Sequence, residues 1–301
     1  MGGNDSTWTV YALGLPKWYA VIPTIFTVMI IVNNVLVLVT LNKVNRKSFQ
    51  DIFMMGLAVA DLITALPLAA TSGSFMIGYN VITDEICPVY AVYTTACVAT
   101  TTWLHSMICI DKCLSIVRSV WHKLFAEKRT TRNIVNITLV TVFVFPLAYF
   151  GVLSILNVIQ PTSTSYVAGC VFVNDWSFVL SSFIPFGFMP LTTELVTYAL
   201  IVRQIRKLDA RRRKSTIKAY KTVTLTVGVY YLSIVPVSIT SAVRAASIDI
   251  PIFIEYAATQ AVCLNSAVNF WIYLTTLPRF QHHFKTVTSK CLVHSGTVHP
   301  L

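Results

Sequence analysis

The polarity of the chain is laid out in long blocks. Seven stretches, near residues 19–41, 52–77, 88–110, 133–156, 177–202, 222–246 and 252–275, are dominated by apolar side chains and separated by shorter polar segments. Each is long enough, as a helix rising about 1.5 Å per residue, to cross roughly 30 Å of hydrocarbon. Thr, Ser and Asn residues inside several blocks point to helices that face one another as well as lipid. The pattern predicts an all-α protein, a seven-transmembrane helix bundle covering 19–276, preceded by a segment 1–18 and followed by a tail 277–301. In the tail, Phe280, Phe284 and Val287 recur at i, i+4 and i+7, with Arg279, His282, His283 and Lys285 mostly elsewhere. That spacing predicts a short amphipathic eighth helix on the inner leaflet.

Composition agrees with the pattern. Charged residues make up 12% of the 301 positions, against about 25% in soluble proteins, and mean hydropathy is +0.68. The formal charge of +11 suggests nucleic acid until its placement is considered. Of the 23 basic residues, 21 follow the first, third, fifth and seventh blocks, and only Lys17 and Arg244 lie opposite. The positive-inside rule makes the richer side cytoplasmic. The amino terminus is then extracellular, the carboxyl terminus cytoplasmic, and the expected location is the plasma membrane; the surplus charge reflects topology and implies no nucleic-acid partner.

The same topology decides a conflict at the first residues, where Gly2 fits a myristoylation pattern and Asn4-Asp5-Ser6 a glycosylation sequon. Myristoylation is cytosolic, so Asn4 glycosylation is expected. No basic n-region, short apolar run and cleavage site precede Lys17, so the first block is expected to act as signal anchor. A second sequon at Asn136 lies inside the fourth block and is expected to be silent.

Of the seven cysteines, only Cys87 and Cys170 fall on the oxidising side. A disulfide between them is expected; the alternative is two buried thiols. Cys291, at the inner membrane surface, is a candidate for palmitoylation.

Ionisable residues at membrane depth are costly and therefore candidates for function. Two stand out, Asp61 and Glu194. Asn34, Thr101, Asn265, Ser266 and Asn269 lie at depths comparable to that of Asp61. Their oxygens around one carboxylate suit a hard cation, Na⁺ above all, and suit equally a hydrogen-bonded interhelical network without an ion. Glu194 receives no role. His105 and His122 stand alone, and no metal constellation, nucleophile elbow or phosphate loop points to an enzyme.

In order along the chain these landmarks resemble the rhodopsin-like (class A) G-protein-coupled receptors, from Val32 to Cys291. Asn34 resembles the first-helix asparagine, Leu57-Ala58-Val59-Ala60-Asp61 the second-helix aspartate motif, and Cys87 with Cys170 the family's disulfide pair. Asp111-Lys112-Cys113 stands where the family has Asp-Arg-Tyr. Pro190 and Tyr198 resemble the fifth helix, Pro236 the sixth, and Asn269-Phe270-Trp271-Ile272-Tyr273 the seventh-helix Asn-Pro-x-x-Tyr. The resemblance implies an extracellular ligand, a heterotrimeric G protein and surrounding lipid as partners. It also implies no required cofactor, with Na⁺ as an allosteric ion on the Asp61 cluster. Asp111, Lys112, Val120, Tyr198, Pro236 and Tyr273 would serve coupling and activation.

The departures concern mechanism. Lys112 replaces an arginine, a point charge in place of a planar fork. Ile234 stands where the family has a tryptophan, Thr216 where many members carry an acid, and Phe270 where the family has proline, so the seventh helix keeps a backbone donor. Thr94 occupies the place of the amine-binding aspartate, and no lysine in the seventh block could hold retinal. The ligand class is therefore open. By resemblance and helical facing, the pocket residues are Thr94, Thr95, Val98, Phe172, Ser182, Phe186, Ser241, Arg244, Glu255, Tyr256 and Thr259, with Arg244 and Glu255 either meeting a charged ligand or pairing with each other. The competing readings are a receptor-fold protein that does not couple to G proteins, acting as scavenger or heteromer partner, and, further off, a transporter or channel.

Overall fold

The computed structural model describes residues 20–295 apart from 45–46, 78–81, 84, 120–121, 123, 125–128, 165–168, 173–174 and 209, and, inside some helices and strands, the backbone alone. The seven blocks are helices: α1 (Val21–Asn42), α2 (Phe49–Ile77), α3 (Cys87–Val117), α4 (Arg129–Ile155), α5 (Trp176–Arg206), α6 (Ala210–Ala245) and α7 (Ile252–Thr276). An eighth, α8 (Pro278–Ser295), follows directly.

Several ends have a local cause. Pro88 sits in the first turn of α3, where its missing N–H costs nothing. Asp175 caps α5 by accepting from the Phe178 N–H at 2.8 Å. Leu277 is extended (φ −108°, ψ 101°), the conformation a following proline favours, and it separates α7 from α8. A π-helical turn, Ile184–Phe188, interrupts α5 just before Pro190.

The helices run past the sequence boundaries at the ends where the basic residues gather. With 36 residues, α6 is about 54 Å long, well beyond the hydrocarbon. Its first turns carry Arg211, Arg212, Arg213 and Lys214, charges that end the apolar block but not the helix.

One element was not legible as a strand pair: β1 (Pro161–Thr164) and β2 (Gly169–Phe172) form an antiparallel hairpin between α4 and α5, with Ser163 opposite Cys170.

In the bundle, α3 is central, packing on α2, α4, α5 and α6, while α7 packs on α1 and α6. Among the described residues five helices, α1, α2, α4, α5 and α6, are long and apolar enough to cross a membrane on length and composition alone. The other two, α3 and α7, fall short because they are lined by neighbouring helices and carry buried Thr, Ser, His, Asn and Gln residues. Conversely, α4 turns Ile134, Ile137, Val140 and Val144 outward, as a lipid-facing helix does. Close packing of α2 on α4 uses Gly56, where a Cβ would stand 2.6 Å from Leu139 Cδ1.

Candidate functional site

At the outer end, Cys87 at the start of α3 is bridged to Cys170 on β2, with Cα atoms 5.2 Å apart. The hairpin is thereby fixed over the bundle mouth. Arg244 at the end of α6 pairs with Glu255 of α7 and, at 3.3 Å, with Asp249. Of the two readings of Arg244 and Glu255, mutual pairing is the one realised.

Of the pocket residues, Phe172 and Phe186 are buried in an aromatic cluster with Phe150, at centroid distances of 6.3 and 5.1 Å. Thr94, Ser182 and Thr259 turn their hydroxyls onto carbonyls of their own helices. Thr95 and Ser241 are half-buried and Tyr256 is buried. Val98 points deeper, into the wall of a small central cavity.

Asp61 lies at the centre of the bundle with no exposed surface. Ser266 Oγ donates to its Oδ1 at 2.6 Å and Asn269 Nδ2 to its Oδ2 at 2.9 Å. Three residues apart, Ser266 and Asn269 share one face of α7, which is why one carboxylate takes both. Asn34 does not touch the carboxylate. Its amide donates to the carbonyls of Ile30 (2.9 Å) and Ser266 (3.1 Å), so it braces α7 rather than serving as an ion ligand, a correction to its place in the cluster.

Thr101, Asn265 and Ser266 line the cavity, about 30 Å³, together with Thr64, Ser233 and Ile234. That is room for one water-sized species. Among the described residues the buried Oδ1 atoms of Asn265 and Asn269 have no protein hydrogen bond, and buried acceptors of this kind are met by water or a cation. Carboxylate, amide and hydroxyl oxygens are the donors a hard cation takes; of the Asp61, Thr101, Asn265, Ser266 and Asn269 set, the cavity is lined by Thr101, Asn265 and Ser266, and Asp61 is joined to it through Ser266.

One turn deeper is a layer that sequence reasoning missed. His105 Nε2 lies 3.0 Å from Asn265 Nδ2, and its ring is 5.0 Å from that of Tyr230. Tyr230 Oη and Thr102 Oγ1 are 2.5 Å apart. Buried Glu194 accepts from Ser106 Oγ at 3.0 Å. His105 is therefore not alone, and Glu194 has a partner. The available signal was the run Thr101, Thr102, His105 and Ser106 on α3, whose i, i+4 spacing puts polar groups on faces that only other helices can satisfy.

At the basic end of the bundle, Asp111 is 2.8 Å from His122 Nε2, and Lys112 Nζ donates to Gln50 Oε1 of α2. His122 too is partnered, contrary to its reading as an isolated residue. Arg279 of α8 lies 3.3 Å from Asp51 of α2. Tyr198 faces outward and packs on Tyr220 at 5.2 Å, whereas Tyr273 is buried beside Phe280 at 6.1 Å. In this conformation the two tyrosines do not share a cavity. Val120 and Asn4 lie outside the described residues, and for Cys291 only the backbone, within α8, is described.

The sequence matches the family model of the 7 transmembrane receptor (rhodopsin family) over residues 33–273. The chain belongs to the rhodopsin family of seven-transmembrane receptors. Its fold is similar to that in the crystal structure of squid rhodopsin, with a TM-score of 0.76 at 16% identity over 92% of this chain and 87% of that one. Members of this receptor family are multi-pass membrane proteins and not enzymes. Of the departures from the rhodopsin family's pattern, Ile234 lines the cavity, and Phe270 lies between α7 and α8, 5.4 Å from Phe284.

Proposed function

We propose that the protein is a G-protein-coupled receptor that transmits binding of an extracellular ligand to a cytoplasmic G protein through a two-state rearrangement of its helices. The observation that carries this reading is the bridge from Asp61 of α2 to Ser266 and Asn269 of α7. A buried carboxylate held by two donors on another helix has a discrete geometry, and breaking it leaves charge and amide unpaired. Such an element has two states rather than a continuum, and a ligand that prefers one of them shifts the population. Asp61, Thr101, Asn265, Ser266 and Asn269 would hold Na⁺, which when bound neutralises the carboxylate and favours the inactive arrangement. The amino terminus, with Asn4 glycosylated, is outside; the 21 basic residues and Cys291, palmitoylated, are inside.

A second reading has its own observation. Lys112 is engaged by Gln50 and Asp111 by His122, and an ammonium lacks the fork with which an arginine would bond several partners at once. On this reading the chain keeps the receptor fold without G-protein coupling. The deciding experiment measures nucleotide exchange on a panel of G proteins with the purified receptor and with Lys112→Arg, each with candidate agonists. Exchange above the receptor-free rate by either protein supports coupling; absence from both, with agonist binding demonstrated, supports the second reading.

A further inference from the structure

The last turns of α5 present an open groove of about 490 Å³ lined by Tyr198, Ala199, Val202, Arg203, Arg206 and Lys207. On this helix Glu194, Thr197, Ile201 and Ile205 are buried. At 100° per residue those four fall within a stripe of about 80°, Tyr198 flanks its edge, and the other five groove residues lie on the arc that faces away from it. The groove therefore opens away from the bundle interior. Its upper wall is apolar and aromatic, with Tyr198 packed at a tilt against Tyr220 of α6. Its lower wall carries three exposed cations and, among the described residues, no acid; none of the three is in an ion pair there.

We infer that this groove is a binding site for an anionic phospholipid of the cytoplasmic leaflet, its phosphate held by Arg203, Arg206 and Lys207 and the start of an acyl chain lying along Val202, Ala199 and Tyr198. Each part has a reason. Arginine forks take phosphate oxygens two at a time. The cations stand on the side where inner-leaflet lipids carry negative charge. Tyrosine is at home at the depth where headgroup gives way to hydrocarbon. The aromatic and apolar upper wall is what separates a lipid from a small anion, which would gain nothing from Ala199 and Val202. The outward direction separates a lipid from a protein partner entering between the helices. Snorkelling of the three cations and their favourable place at a helix C-terminus account for the charges but not for the groove between them.

The test uses the full-length receptor in detergent micelles and native mass spectrometry, with dioleoyl phosphatidic acid, dioleoyl phosphatidylcholine and inorganic phosphate as separate probes. Phosphatidic acid is expected to be retained in preference to phosphatidylcholine. The Arg203→Gln/Arg206→Gln/Lys207→Gln variant should lose that preference by about tenfold or more, since each charge near an anionic surface is worth roughly a factor of five. Ala199→Trp, which fills the groove and leaves every charge in place, should weaken retention as well. A matched variant, Lys43→Gln/Lys47→Gln/Arg118→Gln, should not. The proposal is overturned if the matched variant loses as much, which would mean diffuse attraction. It is also overturned if inorganic phosphate displaces the lipid at equal concentration, or if the α5 variant keeps its lipid preference and loses only G-protein-stimulated exchange. A melting curve for each variant separates misfolding from loss of the site: a groove variant that melts with the unmodified protein and still prefers phosphatidic acid contradicts the assignment.

Discussion

At the scale of single residues, the buried carboxylate has the clearest consequence. Replacing Asp61 by Asn keeps the volume and removes the charge that a cation would balance. Raising Na⁺ should increase the thermal midpoint of the unmodified receptor and leave that of Asp61→Asn unchanged; an equal rise in both would remove Asp61 from the ion site. A second expectation concerns the layer below it. Thr102→Val and Tyr230→Phe, made singly and together, should show a coupling of about 0.5–1.5 kcal/mol, the net worth of one buried hydrogen bond. Additive effects on stability would mean that the 2.5 Å contact contributes nothing. Asp61 was legible in the sequence because a charge in an apolar run is conspicuous, and Asn265 with Asn269 because one-turn spacing puts them on one face; that Ser266 shares the carboxylate with Asn269 was not. Asn34 was misread since an amide at the right depth can serve a backbone carbonyl as readily as a carboxylate. His105 was passed over because its partner, Asn265, lies 160 residues away, a separation across which one helix's periodicity carries no information.

At the scale of elements, hydropathy located the helices and misjudged their ends. Apolar blocks report where lipid is, and a helix continues through charged residues once its backbone is in register, as α6 does from Ala210. The hairpin was not legible because its pairing partners, Pro161–Thr164 and Gly169–Phe172, are polar or Gly-containing and lack alternation. Its attachment depends on Cys87–Cys170, which closes a loop with a sequence separation of 83. By loop entropy, removal of the bridge through Cys87→Ser/Cys170→Ser should cost up to about 4.5 kcal/mol, and it should expose the hairpin to limited proteolysis before the helices melt. Retained protease resistance would mean that the aromatic packing of Phe172 holds the hairpin unaided. For α8, the reading of Phe280 and Phe284 as an apolar stripe was right about the face and incomplete about its contact. Both rings pack on Phe270, the residue that stands in the place of the family's proline. Phe280→Ala should therefore destabilise by about 3 kcal/mol, the low end for a buried ring. A loss under 1 kcal/mol would indicate that α8 is held by lipid alone.

At the scale of the whole molecule, the low charge content and the +11 surplus describe one arrangement: polarity kept inside the bundle or beyond the membrane, and positive charge gathered where α1 leads to α2, α3 to α4 and α5 to α6, and along α8. Inside the bundle, α3 is the element through which the layers communicate. Thr101 reaches the central cavity shared with Asn265 and Ser266, His105 reaches α7, Thr102 reaches α6 and Ser106 reaches α5. A shift of α6 against α3 must therefore disturb buried hydrogen bonds at known places, which gives the two-state account its physical content. The most direct test places spin labels at Arg118, past the end of α3, and at Lys221 in the cytoplasmic part of α6. An unnatural amino acid carries the labels so that the native cysteines are untouched, and the distance distribution is recorded by pulsed electron resonance in Na⁺ and then with a nucleotide-free G protein. The account predicts two distances, the shorter enriched by Na⁺ and the longer by G protein, with Asp61→Asn insensitive to Na⁺. A single distance unaffected by Na⁺ and by every G protein would contradict it.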